Sequence, residues 1–321
     1  MAAVDRNMEA KLPLFADGLN LTEKELLACQ NLAKALPEQS NKARAALSGH
    51  RSSNIKGRGM EFAEVRHYQQ GDDVRTIDWR VTARTGKTHT KLFVEERERP
   101  ILLFIDLSQS LYFGSQLLLQ SVQASHLAAT LGWNAINHSD RLGGLLATET
   151  EHIELKPRSR RQGILQLVSA LTQLHQSQLT KSQSHENTLT DEPPNHLISA
   201  CQRLKRLAKP GSLVWIISDG QNFSQECLAP LSELKRHCDL RAFLITDPLR
   251  TGDLDLPKQF SLPIKQGQQK TVLTRQSYHS WLENEHIKRQ QFISIMEQLK
   301  VYPNTIDAGK RLSDQLELLR Q

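Results

Sequence analysis

Aromatic side chains are scarce, 5% of the 321 residues, and no stretch nears the roughly 20 consecutive apolar residues of a membrane-spanning helix. Direct membrane insertion is therefore not expected. The cysteines are few and scattered: Cys29, Cys201, Cys227 and Cys238 show no C-x-x-C spacing, which argues against a zinc ribbon or a disulfide scaffold. They read as reduced, partly buried thiols of a cytoplasmic protein. Met1 to Leu14 carries two acids and no apolar core, so a secretory leader is not expected. No G-x-x-x-x-G-K-[ST] occurs, which excludes a P-loop ATPase, and the twelve histidines form no H-E-x-x-H or comparable spacing. No unit of 20 to 50 residues repeats. The net charge of +6 allows an acidic partner. Without a basic stripe interleaved with aromatics it does not call for nucleic acid.

What the chain does have is a pair of apolar runs that end on acids. Ile101-Leu102-Leu103-Phe104-Ile105 leads into Asp106, and Ser108 and Ser110 follow at alternate positions. Leu213-Val214-Trp215-Ile216-Ile217-Ser218 leads into Asp219 and Gly220. Continuous apolar runs of this length read as strands of a parallel sheet, buried on both faces. Ligands in open α/β sheets bind at the carboxyl ends of the strands. If the two strands are parallel neighbours, Asp106 and Asp219 converge there with two hydroxyls. Hard oxygen groups in that arrangement suit Mg²⁺, or Mn²⁺, with waters completing the octahedron. The plainer reading is two strand-ending aspartates that cap turns.

Around these runs, strands and helices alternate, which implies crossover units and an α/β fold with a mostly parallel sheet. Thr22-Glu23-Lys24-Glu25 reads as a helix start, with Leu26, Leu27, Leu32 and Leu36 as the apolar stripe up to Pro37. Residues 54–100 interleave Arg66, Arg75, Arg80 and Arg84 with Glu61, Glu64, Asp72, Asp73 and Asp78, as a network of Arg–carboxylate pairs or as a docking surface. Thr88 to Val94 alternates like a strand of a small separate sheet. The helix from Leu117 to Trp133 is apolar on more than one face and should be buried. Leu142 to Ala147 reads as a strand that Ile153-Glu154-Leu155 joins. Lys156 to Arg161 reads as a solvated basic loop, Gln162 to Leu174 as a helix and His175 to Asp191 as a long surface loop. Helices to about Ala208 and over 224–238, a strand over 240–246 and a hairpin at 260–274 follow. A long helix over 278–299, a strand at 301–306 and a helix at 312–319 close the chain.

Two stretches resemble a known family. Asp106-Leu107-Ser108-Gln109-Ser110 is similar to the metal-ion-dependent adhesion site of von Willebrand factor type A domains. Gly57-Arg58-Gly59-Met60-Glu61-Phe62, Val65-Arg66-His67-Tyr68, Gly71 to Trp79, Ala83-Arg84-Thr85-Gly86 and Glu95-Glu96-Arg97-Glu98 resemble the signature of domain-of-unknown-function family fifty-eight. The resemblance runs from about Leu47 to the C-terminus. It implies a von Willebrand A-like doubly wound sheet over 101–321 and a signature segment with a small β extension over 54–100, ahead of which the residues themselves read as a helical leader over 1–53. It also implies a metal site of Asp106, Ser108, Ser110, Asp219 and a threonine. The family usually presents that threonine as Gly-Gly-Thr before a helix. No Gly-Gly stands there in this chain, and Thr190 is the choice, with Thr188 and Asn195 as alternatives.

Three classes of function compete. The first, which the resemblance favours, is a non-enzymatic, metal-dependent adaptor that works with a MoxR-type AAA+ ATPase and its protein clients in assembly or remodelling. The second is a structural subunit with a degenerate metal site. The third is a Mg²⁺-dependent hydrolase with an aspartate nucleophile. Against the third, Ser108 stands where a D-x-D enzyme has its second acid, and no general base is evident.

Overall fold

The computed structural model describes residues 12–36, 60–95, 98–183, 196–266 and 269–316. Two compact units divide the chain: residues 45–98, and residues 1–44 together with 99–321. The described helices of the expected leader, α1 (Glu23–Ala28) and α2 (Gln30–Ala33), therefore belong to the larger unit.

The smaller unit pairs β1 (Met60–His67) with β2 (His89–Glu95) antiparallel, as the alternation at 88–94 predicts. Between them lie a 3-10 turn at Val74–Thr76 and α3 (Trp79–Thr85). The expected Arg–carboxylate network is mostly something else. Arg66 and Asp72 do form a two-pronged pair at 2.8 and 2.7 Å. Asp73 and Asp78 instead accept backbone N–H groups at helix starts, from Arg75 and from Arg80 and Val81. Asp78 faces Lys91 at 3.5 Å, and Arg75, Arg80 and Arg84 form no ion pair among the described residues. The short helices leave unsatisfied N–H groups that a nearby carboxylate serves first.

The larger unit carries a six-stranded sheet in the order β10-β7-β6-β3-β4-β5. The strands are β3 (Pro100–Asp106), β4 (Arg141–Ala147), β5 (His152–Ser159), β6 (Leu213–Ser218), β7 (Asp239–Thr246) and β10 (Asn304–Asp307). All pair in parallel except β5, which is antiparallel at one edge. A separate hairpin joins β8 (Ser261–Gln266) and β9 (Gln269–Thr274). Alternate residues of the central strands feed two cores. Ile101, Leu103, Ile105 and Ile217 pack under α1, α2, α4 (Gln120–Asn137), α5 (Arg160–Gln183) and α10 (Leu312–Gln315). Leu102, Phe104, Val214 and Ile216 pack under α6 (His196–Leu207), α7 (Leu228–Lys235) and α9 (Arg275–Gln298). The mixed α/β architecture with a mostly parallel sheet is as expected. Helix α4, buried from Gln120 to Ala135, accounts for its apolar residues on several faces.

Two local expectations fail. The basic run Lys156 to Arg161 is not a loop: it ends β5 and starts α5. Because β5 is an edge strand, Lys156 and Arg158 project to solvent while Leu155 is buried, and charge on an edge blocks further pairing. Residues 175–183 are not loop either, for α5 continues through Gln183. His175 and Gln178 are buried there, bonding Leu19 O at 2.9 Å and Gln109 Nε2 at 3.1 Å, so polar residues carry the inward stripe. No helix among the described residues is long and apolar enough to cross a membrane.

Candidate metal centre

The chain order places β4 on one side of β3 and β6 on the other. The carboxyl ends of β3 and β6 therefore flank a point where the strand order reverses, the usual crevice for a ligand in an open α/β sheet. Asp106 ends β3 there, and Ser218 and Asp219 end β6. The side chain of Asp106 is wholly buried. One carboxylate oxygen accepts the Ser108 N–H at 3.1 Å and the other accepts the Ser218 hydroxyl at 2.7 Å. Burial, and then the charge of Asp219, push the Asp106 carboxyl up to about 7. Its neutral donors only partly oppose this shift.

The two hydroxyls after β3 lie together, with Ser108 Oγ and Ser110 Oγ 3.1 Å apart. A 3-10 turn at Gln109–Leu111 turns the chain so that both hydroxyls lie on the same side. The carboxamide of Asn222 reaches both, donating to Ser108 Oγ at 2.8 Å and to Ser110 Oγ at 3.3 Å. Asn222 follows the tight turn at Gly220, which has φ +76°. A Cβ at Gly220 would stand 2.8 Å from Phe292 Cβ, so the close turn requires glycine. Asp219 is also buried. Its Oδ1 accepts the Gln221 N–H at 3.1 Å and its Oδ2 accepts from Arg250 at 3.0 Å. At the rim, Glu149 accepts the Gln109 N–H at 2.6 Å, and burial pushes its carboxyl upward.

Of the residues expected from sequence, Asp106, Ser108 and Ser110 are brought together and Asp219 lies within electrostatic range of Asp106. Thr190, with the alternatives Thr188 and Asn195, lies outside the described residues. Among the described residues no three His, Cys, Asp or Glu side chains form a metal-holding group, so any centre here rests on two carboxylates plus hydroxyls. That donor set fits a hard divalent cation: all its atoms are oxygen, and a buried acid beside a second acid is relieved by positive charge. Ser218, Asn222 and Arg250 were not singled out from sequence. Arg250 follows the acid Asp247 at the end of β7, so the strand-end rule that found Asp106 and Asp219 pointed to its neighbourhood. Glu285, 3.4 Å from Arg250 Nε, lies mid-helix and carries no sequence signal.

Comparison with known proteins gives kinship without an activity. Uncharacterized proteins of Mycobacterium tuberculosis and Mycobacterium bovis are each 37% identical over 116 residues, which is 36% of this chain and 37% of theirs. The matched region thus spans little more than a third of these curated relatives. Among solved structures, the conserved hypothetical protein BatB from Bacteroides thetaiotaomicron aligns with 13% identity and a TM-score of 0.36, covering 69% of this chain and 98% of that one. An aerotolerance-related membrane protein from Bacteroides fragilis aligns with 14% identity and a TM-score of 0.33, covering 68% and 96%. The family model described as "Protein of unknown function DUF58" matches residues 64–281, and the chain belongs to that family.

Proposed function

We propose that this protein is a metal-dependent protein-interaction adaptor, built on a von Willebrand A-like domain, that works with a MoxR-type AAA+ ATPase in assembling or remodelling client proteins. The observation that carries the reading is the wholly buried Asp106 beside Asp219, with the Ser108 and Ser110 hydroxyls at the same strand ends. Ser108 and Ser110 would ligate Mg²⁺ or Mn²⁺ directly, with Asp106 and Asp219 holding it directly or through waters. A carboxylate from a partner would take an open position, so that the cation joins two proteins by a charge-assisted contact. The ATPase partner is proposed from the family resemblance alone. A cytoplasmic location is supported by four cysteines that are all unpaired thiols.

A second reading has its own support. Asn222 donates N–H to both serines and Arg250 neutralises Asp219, so internal donors stand where a cation would act. Under that reading the protein is a structural subunit whose centre works without metal. A binding titration separates the two, between this protein and the MoxR-type ATPase encoded nearest to it. The adaptor reading expects binding to weaken at least tenfold with EDTA and with Ser108→Ala plus Ser110→Ala, while circular dichroism stays native. Arg158→Ala plus Arg161→Ala should leave binding within twofold. Loss of binding in the arginine variant alone would make the contact electrostatic, and indifference to EDTA and to both variants would leave the structural reading.

A further inference from the structure

Two carboxylates at one buried centre are neutralised in different ways. Asp106 is met only by neutral donors, the Ser108 N–H and the Ser218 hydroxyl. Asp219 is met by a full positive charge, Arg250, whose side chain is 13% exposed and whose guanidinium also lies over the Phe113 ring, 4.6 Å from its centroid. Both Asp219 oxygens are thereby engaged, one by Arg250 and one by the Gln221 N–H. With both carboxylates ionised, the trio of Asp106, Asp219 and Arg250 carries −1, and the two carboxylates carry −2 once the guanidinium no longer serves Asp219. Only the second value matches a divalent cation.

Arg250 also has a second acid within reach. Its Nε faces Glu285 Oε2 at 3.4 Å but has no aligned hydrogen bond, although it is buried. Glu285 is itself 4% exposed and accepts from Gln221 Nε2 at 2.8 Å. The guanidinium thus stands between Asp219 at the sheet end and Glu285 on α9, well bonded to the first and poorly aligned with the second. The short helix α8 (Pro248–Thr251) that carries Arg250 is capped by Asp247. The Asp247 carboxylate also accepts the Ser115 N–H at 2.8 Å and the Ser115 hydroxyl at 2.6 Å. That ties the helix to the chain just past Ser110.

We propose that Arg250 is an internal counter-cation that sets the affinity of the centre, serving Asp219 when no divalent ion is bound and passing to Glu285 when one is. The inference rests on the metal-centre reading above. A buried positive charge beside a ligand carboxylate repels an incoming cation and competes for the same oxygen. Removing it strengthens metal binding, and removing its alternative acid weakens it. Glu285 therefore acts as a positioning residue, through Arg250.

Isothermal titration of the protein with Mg²⁺, and separately with Mn²⁺, tests this. Arg250→Gln is expected to bind both ions roughly tenfold more tightly than the wild type, because one repelling charge is gone. Arg250→Lys, which keeps the charge, should stay within about threefold of the wild type. Glu285→Gln should bind several-fold more weakly, since the guanidinium then has only Asp219. Circular dichroism reports whether each variant folds, and the Glu285→Gln arm decides should Arg250→Gln not fold. Metal binding by the wild type with unchanged affinity in Arg250→Gln, or in Glu285→Gln where that arm decides, overturns the counter-cation while leaving the centre standing. Titrations that show no binding by any form overturn both.

Discussion

His196 opens α6 with a ring that is buried and, among the described residues, has a hydrogen-bond partner at neither nitrogen. Burial is the main cause, and the nearby His152 the lesser one, of a folded-state pKa lowered from 6.5 to about 4. The fold therefore favours the neutral ring. The unfolded chain binds this proton more readily between those two values, so the stabilisation is full above pH 6.5 and lost as pH falls through 4. A shift of this size corresponds to about 3 kcal/mol. Urea unfolding between pH 7 and pH 4 should show His196→Phe losing less stability than the wild type. Parallel pH curves for the two proteins would mean that His196 is solvated in the native state. The same scale explains which site residues could be read beforehand. Asp106, Ser108 and Ser110 are local in sequence, so their convergence follows once a strand is recognised. Ser218, Asn222 and Arg250 reach the site by way of neighbouring strands and turns. Their roles depend on which oxygen each meets, and residue type alone does not carry that.

The segment of α1 and α2, expected as one helix up to Pro37, starts where predicted but is split in two and packed differently from its apparent stripe. Thr22 caps it as expected, accepting the Glu25 N–H at 3.3 Å. The buried positions are Leu26, Cys29, Ala33 and Leu36, whereas Leu27 is exposed. The inward face also includes a charged residue. Glu25 is 1% exposed, accepts the Thr22 hydroxyl at 2.8 Å and lies 3.2 Å from Nε2 of the fully buried His126 on α4. Trp133 Nε1 donates to Leu26 O at 3.1 Å beside it. This cluster fastens the segment to the sheet unit, and leaving one partner of a buried hydrogen bond unsatisfied typically costs about 1–3 kcal/mol. Glu25→Ala and His126→Ala are each expected to destabilise by that order in urea unfolding. The double variant should cost less than the sum, because the two share one interaction. A strictly additive double variant would show that the pair is not coupled. Hydropathy periodicity did not reveal this face, nor the inward His175 and Gln178 of α5, because buried polar residues break the apolar stripe. The parallel strands were legible for the opposite reason, since burial on both faces leaves an unbroken apolar run.

Across the whole molecule the sheet unit and the unit of residues 45–98 are stabilised differently. The first has two apolar cores, one on each face of a six-stranded sheet. The second is held in its described part by one antiparallel pair, the Arg66–Asp72 bridge and aspartate-capped short helices. A ligand that binds only the folded state stabilises it by about 2.7 kcal/mol at a hundredfold excess over its dissociation constant. That stabilisation should appear where the ligand's contacts lie. Hydrogen exchange with saturating Mg²⁺ against EDTA is therefore expected to slow in residues 104–113, 217–222 and 248–251. The middle of α9 around Glu285 should respond with them, because Arg250 links it to Asp219. Residues 60–95 should exchange at the same rate in both conditions. Asp106→Asn should erase the difference throughout, since it removes the buried charge that favours the cation. Protection confined to residues 60–95 would place the cation in the smaller unit and remove the basis for a centre at the strand ends.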